Sequence, residues 1–452
     1  MRTKIVLFVW NRRDERRREN PPPQNRFQCS HYIGLQWRKN INTSFPLDNP
    51  RLINSFWNNH CRIHSDAENV LKGIVNLETS TNSPARMPNW DLLRSLSMLA
   101  VLVVHSWMYL DPILGINVGG MLSRLAILCD PIFFTLSGYF AIRPLKTSLA
   151  EYYQKKFISI VLPLFVYGLV LYLYTSNLGE ISASGFCHFL LAQLSPWWFI
   201  PALIPCLIIA PFLYKIFERA TDRTLLMLSR IILCLNFWGI FCSGMIFLAQ
   251  SSGHSEVAAL FGIARLIFPA SLIPNSYFIY FVLGYFLRRL IPTLSRRSKG
   301  ILVVLGAISW ILDLLYHQVG MELFDPSYHW LFATISVFIL FDNIQSLNEA
   351  TSKVVNWTAK RSYSIYLLNY TAIAIVFPWF KDQLFGSALA EGLFAPARLA
   401  IWVGSLLLSY ILALCLASII DNTLLLWFKR IVLRAMSSIS IFVAGHHVQS
   451  TD

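Results

Sequence analysis

The feature that most constrains the fold is a series of ten apolar segments, each near the roughly 20 residues that a helix needs to cross a bilayer. The chain of 452 residues is 55% hydrophobic and only 14% charged. This composition excludes a soluble domain and indicates an all-α polytopic membrane protein, a single bundle of about ten transmembrane helices. The segments are 90–110, 124–142, 157–176, 197–217, 225–249, 272–290, 300–318, 328–346, 364–380 and 399–420.

Positive charge alternates between the loops and predicts the orientation of the bundle. Loops after even-numbered segments carry clusters of Lys and Arg, whereas the other loops are poor in positive charge or mix it with acid. Because cytoplasmic loops carry the excess of Lys and Arg, we expect both termini in the cytoplasm. An eleventh span over 256–270 would place the later clusters outside. We therefore interpret that stretch as interfacial or re-entrant, with Pro269 and Pro274 separating it from the sixth segment.

Residues 1–86 differ in composition from the rest of the chain. They hold 14 Lys/Arg and 7 Asp/Glu, including a basic run over 12–18, and show no helical or strand periodicity. One interpretation is a disordered cytoplasmic arm. The other, which we favour, is that the start is mis-assigned and that the protein begins at Met87. We expect a transmembrane domain over 87–435 and a C-terminal tail over 436–452.

The formal charge of +14 also bears on partners and metals. Excess positive charge can indicate nucleic acid or anionic lipid, but alternation between loops is explained by orientation in a membrane. We expect membrane lipid as a partner and no nucleic acid. The eight cysteines lack Cys-x-x-Cys spacing and the ten histidines lack ligand spacing, so we expect buried thiols and no metal site.

The first apolar segment carries ionisable residues that lipid does not tolerate. Asn89 can cap its helix, and Asp91 falls in the first turn, where the helix dipole favours a carboxylate. Arg94 and His105 are eleven residues apart, close to three full turns, so they share one face at depths that differ by about 16 Å. Singly, Arg94 could be an interface anchor and His105 a core residue. Together on one face, they favour a functional site.

These residues resemble the acyltransferase-3 family of integral membrane O-acyltransferases. The first helix of that family typically carries Asp-x-x-Arg followed by Arg-x10-His, and Asp91, Arg94 and His105 match both patterns in full. The resemblance spans roughly Met87 to Trp427. It implies transfer of an acyl group, most often acetyl, from cytosolic acetyl-CoA or another acyl-CoA to a hydroxyl of a surface polysaccharide or lipid-linked glycan.

A second motif supports the resemblance. The second helix of the family typically reads Phe-Phe-x-Leu-Ser-Gly-Phe/Tyr, and residues 133–139 match it, so we expect Ser137 and Gly138 to be structural motif residues with Asp91. Weaker matches to later motifs of the family lie over 197–200 and 362–368.

The resemblance assigns donor use to Arg94 and catalysis to His105. Acyl-CoA is polyanionic and needs cationic partners at the inner face, where Arg94, Arg143, Lys155 and Lys156 are candidates. The family often has paired arginines entering the third helix, whereas this chain has the two lysines at a different spacing. The donor is a substrate, and no permanently bound cofactor is expected.

His105 is the expected catalytic residue, either as general base on a sugar hydroxyl or through a transient acyl-imidazole. Asp130 begins the second apolar segment at a compatible depth, so we expect it to orient the imidazole, although it could simply end a loop. Asn369 stands where the family often has His, which makes it a doubtful site residue.

Aromatic residues cluster near the depth of His105 at the outer rim. Trp107, Trp197 and Trp198 could form an interfacial belt. The functional interpretation is a platform on which sugar rings stack, which makes them candidate substrate-binding residues.

Two other classes of protein compete with an acyltransferase of the bacterial cytoplasmic membrane. A transporter or flippase would also have about ten helices with buried polar residues, but no inverted repeat or matching pair of broken helices is visible. A membrane sensor is disfavoured by the full motif in the first helix.

Overall fold

The computed structural model describes residues 87–436, except 111, 114, 178, 180, 273–276, 319–324 and 381–394. The predicted extension over 1–86 lies outside the described residues, and so does the predicted tail apart from its first residue. The domain boundaries therefore stay predictions.

The described part of the chain is helical and contains no β-strand, which confirms the all-α class. A π-helical turn over Phe157–Val161 joins α4 to α5, and another over Asp421–Leu425 extends α14. Helices α1 to α14 are Pro88–Ser106, Val118–Ala126, Cys129–Ala141, Leu149–Lys156, Leu162–Thr175, Ala183–Gln193, Phe199–Glu218, Asp222–Ser251, Ser255–Leu272, Phe278–Leu290, Arg296–Gln318, His329–Asp342, Glu349–Trp379 and Ala395–Ile420.

Each predicted apolar segment overlaps a helix, but not every such helix is a span by length and hydropathy. Among the described residues, seven stretches are long and apolar enough to cross a membrane: Pro88–Tyr109, Val118–Ala141, Leu149–Thr175, Phe199–Glu218, Asp222–Ser251, Arg296–Gln318 and Pro396–Met436. The other three segments fall on α10 and α12, which have 13 and 14 residues, and on α13, whose first half is polar. The count of ten spans therefore stays a prediction.

The stretch that we expected to be interfacial or re-entrant forms helix α9, which packs on α8. Gly253 has φ +75° in the turn between them, a conformation that glycine adopts without strain. The Trp238 indole N–H donates to the carbonyl of Ala264 (3.2 Å), and Arg265 donates to the Ser243 hydroxyl (3.3 Å). These contacts make α8 and α9 a helical hairpin.

Whether or not α9 crosses the membrane decides the orientation of every later helix. If α9 does not cross, only α10 separates residue 252 from residue 297, and the two lie on opposite sides of the membrane. We expect S252C, in a variant without native cysteines, to react with a membrane-impermeant maleimide on intact cells. R297C should react only after permeabilisation. Reaction of both from the same side would show that α9 crosses.

Helix α1 joins two apolar clusters of the bundle. Trp90 and Leu93 pack in a cluster with residues of α3, α7, α10 and α12. One to three turns further on, Met98, Val101 and Leu102 pack with residues of α5, α13 and α14. Both ends of α1 are therefore held by buried apolar contacts, which fixes the directions of its polar side chains.

The Ser-Gly motif lies where α3 crosses α10. A Cβ on Gly138 would overlap the carbonyl of Phe281, and a Cβ on Gly284 would overlap the carbonyl of Thr135. The two helices therefore pack backbone to backbone, which small residues permit. This contact explains a glycine at the sixth motif position, while Ser137 beside it is half-buried.

Candidate active site

Helix α1 is continuous from Pro88 to Ser106, so Arg94 and His105 stand on one uninterrupted helix. The helix begins at a proline, which has no N–H and suits a first helical position. The prediction that Asn89 caps the helix is wrong: its side-chain amide donates to the carbonyl of Phe341 in α12 (3.2 Å). The reason is that the helix starts at Pro88, two residues before the first position that a cap at Asn89 requires.

The N-terminal end of α1 carries an ion pair. Arg94 Nη1 lies 3.5 Å from Asp91 Oδ1, one turn away, and Asp91 is only 7% exposed. The guanidinium also lies over the Phe140 ring, 5.5 Å from its centroid. Arg94 is therefore held beside the last turn of α3 by its cation–π contact with Phe140 and by its ion pair with Asp91.

The C-terminal end of α1 carries an oriented histidine. His105 Nδ1 lies 2.7 Å from Asn369 Oδ1, and the imidazole stacks on Tyr370 with 4.2 Å between ring centroids and 22° between planes. Both partners belong to α13, which packs along α1. The ring is thus held at one edge and on one face.

The hydrogen bonds of Asn369 identify the tautomer of His105. The Asn369 Nδ2 group donates to the carbonyl of Tyr366, which leaves Oδ1 facing the imidazole. Because Oδ1 can only accept, Nδ1 of His105 must carry the proton. The lone pair of the neutral ring is then on Nε2, which can accept a proton or attack a carbonyl.

Asn369, not Asp130, is the partner of His105, and this corrects two sequence-based interpretations. The Asp130 carboxylate accepts a hydrogen bond from Cys129 Sγ at 3.5 Å. Asp130 belongs to α3, whereas the residues that hold His105 by a hydrogen bond and by stacking belong to α13. Sequence proximity suggested the short loop between the first two segments, but the contact comes from a helix 264 residues further along.

The predicted donor cations differ in their surroundings. Lys155 forms an ion pair of 2.6 Å with Glu151, one turn earlier on α4, so its charge is already compensated. Lys156 lies over the Tyr152 ring at 5.6 Å and is close enough to Arg143 for their charges to repel. Arg143, just after α3, is exposed. Of the three, Arg143 and Lys156 are better placed than Lys155 to bind an anion.

One cation at this end was missed from the sequence. Arg288 in the last turn of α10 donates to the carbonyl of Tyr139 at 3.0 Å, next to Phe140, on which Arg94 lies. The sequence analysis used Arg288 only as a loop charge. The backbone crossing of α3 and α10 is what brings Arg288 to the last turn of α3, the turn on which Arg94 also lies, and hydropathy gives no signal for that crossing.

The three predicted substrate tryptophans lie in different environments. Trp107, in a 3-10 turn after α1, is 38% exposed. Trp197 is 1% exposed in the apolar core, so it offers no ring face to a sugar, which corrects that prediction. Trp198 is half-buried and packs against Tyr277, with 5.1 Å between ring centroids.

A second buried polar cluster is centred on Asp313. Arg124 of α2 makes a bidentate ion pair with Asp313 of α11, at 2.7 and 2.9 Å. The same carboxylate accepts from the Ser327 hydroxyl (2.6 Å) and the Trp330 indole (3.1 Å). Every carboxylate oxygen is satisfied, so this cluster ties α2, α11 and α12 together. Among the described residues, no group of His, Cys, Asp or Glu is arranged to hold a metal ion.

Helix α1 is thus long and apolar enough to cross a membrane, and it carries an arginine near one end and an oriented histidine near the other. A family model described as an acyltransferase domain, acyltransferase-3, matches residues 87–420. The chain therefore belongs to the acyltransferase-3 family, as the motifs of α1 and α3 predicted, and it is a membrane acyltransferase. Comparison with curated proteins and with solved structures found no match.

Asn369 gives a testable role to a residue that the sequence left in doubt. Asn369→Ala removes the acceptor that holds Nδ1–H of His105, and an unsatisfied buried donor costs about 1–3 kcal/mol. We expect acyl transfer to fall about 5- to 100-fold, while acyl-CoA binding is unchanged. Asn369→His supplies another ring acceptor and should retain more activity. Equal rates for Asn369→Ala and wild type would show that this hydrogen bond is not used.

Proposed function

We propose that the protein moves an acyl group, acetyl by default, from cytosolic acyl-CoA to a hydroxyl of a surface polysaccharide or lipid-linked glycan. The observation that carries the proposal is the separation of Arg94 and His105 along one rigid helix. Eleven residues of helix place them about 16 Å apart along its axis. A donor bound at the first can thus react at the second, deeper in the bundle.

The proposed orientation follows the alternation of positive loops. Ten spans with both termini in the cytoplasm of a bacterial cell place Arg94, Arg143, Lys156 and Arg288 at the inner face. There they meet the phosphates of the nucleotide end, and guanidinium groups suit bidentate phosphate contacts. The pantetheine arm is long and mostly uncharged, so it threads between helices and carries the thioester to His105.

His105 Nε2 performs the transfer as a general base. It takes the proton of the acceptor hydroxyl while the oxygen attacks the thioester carbonyl. The new C–O bond forms, the C–S bond breaks, and CoA leaves as a thiolate that takes the proton back from the imidazolium. In the alternative route, Nε2 itself attacks the thioester carbonyl and the C–S bond breaks, which releases the CoA thiolate. The hydroxyl oxygen then attacks the acyl-imidazole, the C–N bond breaks, and the hydroxyl proton passes to the thiolate.

Membranes that contain the protein, supplied with acetyl-CoA labelled in the acetyl group, test the proposal. Label should enter the envelope glycan fraction and be absent when the chain is not expressed. Export of unmodified glycan without use of the donor would instead favour the transporter class.

A further inference from the structure

An open groove of about 750 Å³ lies beside Trp198. The rings of Phe134, Trp198 and Tyr277 line it, together with Cys206, and Asp325 supplies a carboxylate. The groove thus combines aromatic walls with a charged acceptor group.

The rings form one packed surface. Tyr277 stacks on Phe134 with 4.8 Å between centroids and lies 5.1 Å from Trp198. The Tyr277 hydroxyl donates to Asp325 Oδ1 at 2.5 Å, and Asp325 is itself exposed. That hydrogen bond fixes one carboxylate oxygen and leaves further acceptor sites, since an ionised carboxylate has about four.

The groove and His105 lie at the same end of the bundle. Helix α1 ends beside Asn369 of α13, and Tyr366, one turn earlier on α13, donates from its hydroxyl to the carbonyl of Pro196, two residues before Trp198. Trp198 and Tyr277 immediately precede α7 and α10, and Asp325 lies four residues before α12. In the proposed orientation this is the extracytoplasmic end, where a surface glycan arrives.

Packed residues connect the groove to the imidazole. Phe199, next to Trp198, packs edge-to-face on Tyr366 of α13 with 5.8 Å between centroids. The carbonyl of Tyr366 accepts the hydrogen bond from Asn369, which holds His105. Three residue contacts, from Trp198 to Phe199, Tyr366 and Asn369, therefore connect the wall of the groove to the group that orients the catalytic histidine.

The charge of the groove selects among ligands. Asp325 is the charged group among the described residues that line the groove, and no Lys or Arg lines it to pair with the phosphates of a polyanion such as acyl-CoA. A neutral molecule with hydroxyl donors and an apolar face fits both the carboxylate and the rings.

We propose, on the basis of the proposed function, that this groove is the acceptor site and binds a sugar ring of the glycan. The apolar face of the ring packs on Trp198. One of its hydroxyls donates to Asp325, and a second hydroxyl is thereby directed towards His105.

The test uses membranes with full-length variants and acetyl-labelled acetyl-CoA, with label in the envelope glycan as one readout. Binding of acetyl-CoA to the purified protein is the other. Asp325→Asn and Trp198→Ala should each lower transfer about tenfold or more, because hydrogen bonds to charged groups and aromatic packing contribute on that scale. Donor affinity should stay unchanged. Trp198→Phe should restore most of the transfer.

Matched controls lie outside the groove. Trp427→Ala removes an exposed tryptophan near the end of the last span, and Glu349→Gln neutralises an exposed acid at the start of α13. Both should transfer at the wild-type rate. The amount of folded protein is measured for every variant, and the conservative Asp325→Asn and Trp198→Phe keep the comparison valid if Trp198→Ala does not fold.

Two results would overturn the acceptor site while leaving the proposed function intact. One is wild-type transfer by both Asp325→Asn and Trp198→Ala. The other is an equal loss of donor binding and transfer in Asp325→Asn, which would place the groove on the donor path. Failure of the proposed function itself is distinct, because the wild-type protein would then put no label into glycan.

Discussion

Replacement of His105 by alanine is expected to lower the rate of acyl transfer by about 100- to 10,000-fold, the range for loss of a general acid–base group. Acyl-CoA binding should stay near the wild-type value, because the side chain lies three turns from Arg94 on α1. The loss concerns only the step in which the hydroxyl proton is removed. It therefore appears in kcat far more than in donor affinity.

Purified protein in detergent, with donor affinity and transfer measured on the same preparation, checks this prediction. His188→Ala is the control, since it removes an exposed histidine from α6. Transfer by His105→Ala at a rate comparable to wild type would refute the proposed catalytic centre. A loss of folded protein is recognised by comparison with His105→Gln, which keeps a side chain of similar length.

Arg94→Ala is expected to raise the Kd for acyl-CoA about 10- to 100-fold, because hydrogen bonds to a charged group contribute about 1.5–3 kcal/mol. The neighbouring cations Arg143, Lys156 and Arg288 should limit the loss. Arg94→Lys keeps the charge but not the planar fork for bidentate phosphate contact, so an intermediate affinity is expected.

The effect of losing the ion pair with Asp91 has to be distinguished from the effect of losing a donor contact of Arg94. Asp91→Asn removes the ion pair and keeps the guanidinium, so it should bind acyl-CoA close to normally if Arg94 contacts the donor itself. Isothermal titration with CoA and with acetyl-CoA supplies both affinities. Wild-type affinity in Arg94→Ala would contradict the donor role, and equal losses in both variants would reduce Arg94 to a structural partner of Asp91.

What could be predicted from the sequence is what helical geometry alone determines. The spacing of Arg94 and His105 fixes their common face on any continuous helix, and α1 is continuous. The family motif also marked Gly138 as a structural residue, and the crossing of α3 with α10 at Phe281 and Gly284 gives the reason for that glycine.

The partners of these residues could not be predicted because hydropathy does not order helices within a bundle. Asn369 meets His105 only because α13 packs on α1, and Arg288 meets Tyr139 only because α10 crosses α3. The adjacent Trp197 and Trp198 looked equivalent in the sequence. The turn before α7 places the first in the core and the second at the groove.

Reconstitution of the purified protein in sealed vesicles tests the central claim most directly. Envelope glycan is enclosed inside, and acetyl-labelled acetyl-CoA, which does not cross lipid, is added outside. The account predicts that the wild-type protein puts label into the enclosed glycan and that His105→Ala does not, at equal amounts of inserted protein. Labelling by His105→Ala at the wild-type rate would contradict it, and so would labelling that requires donor and glycan on the same side of the membrane.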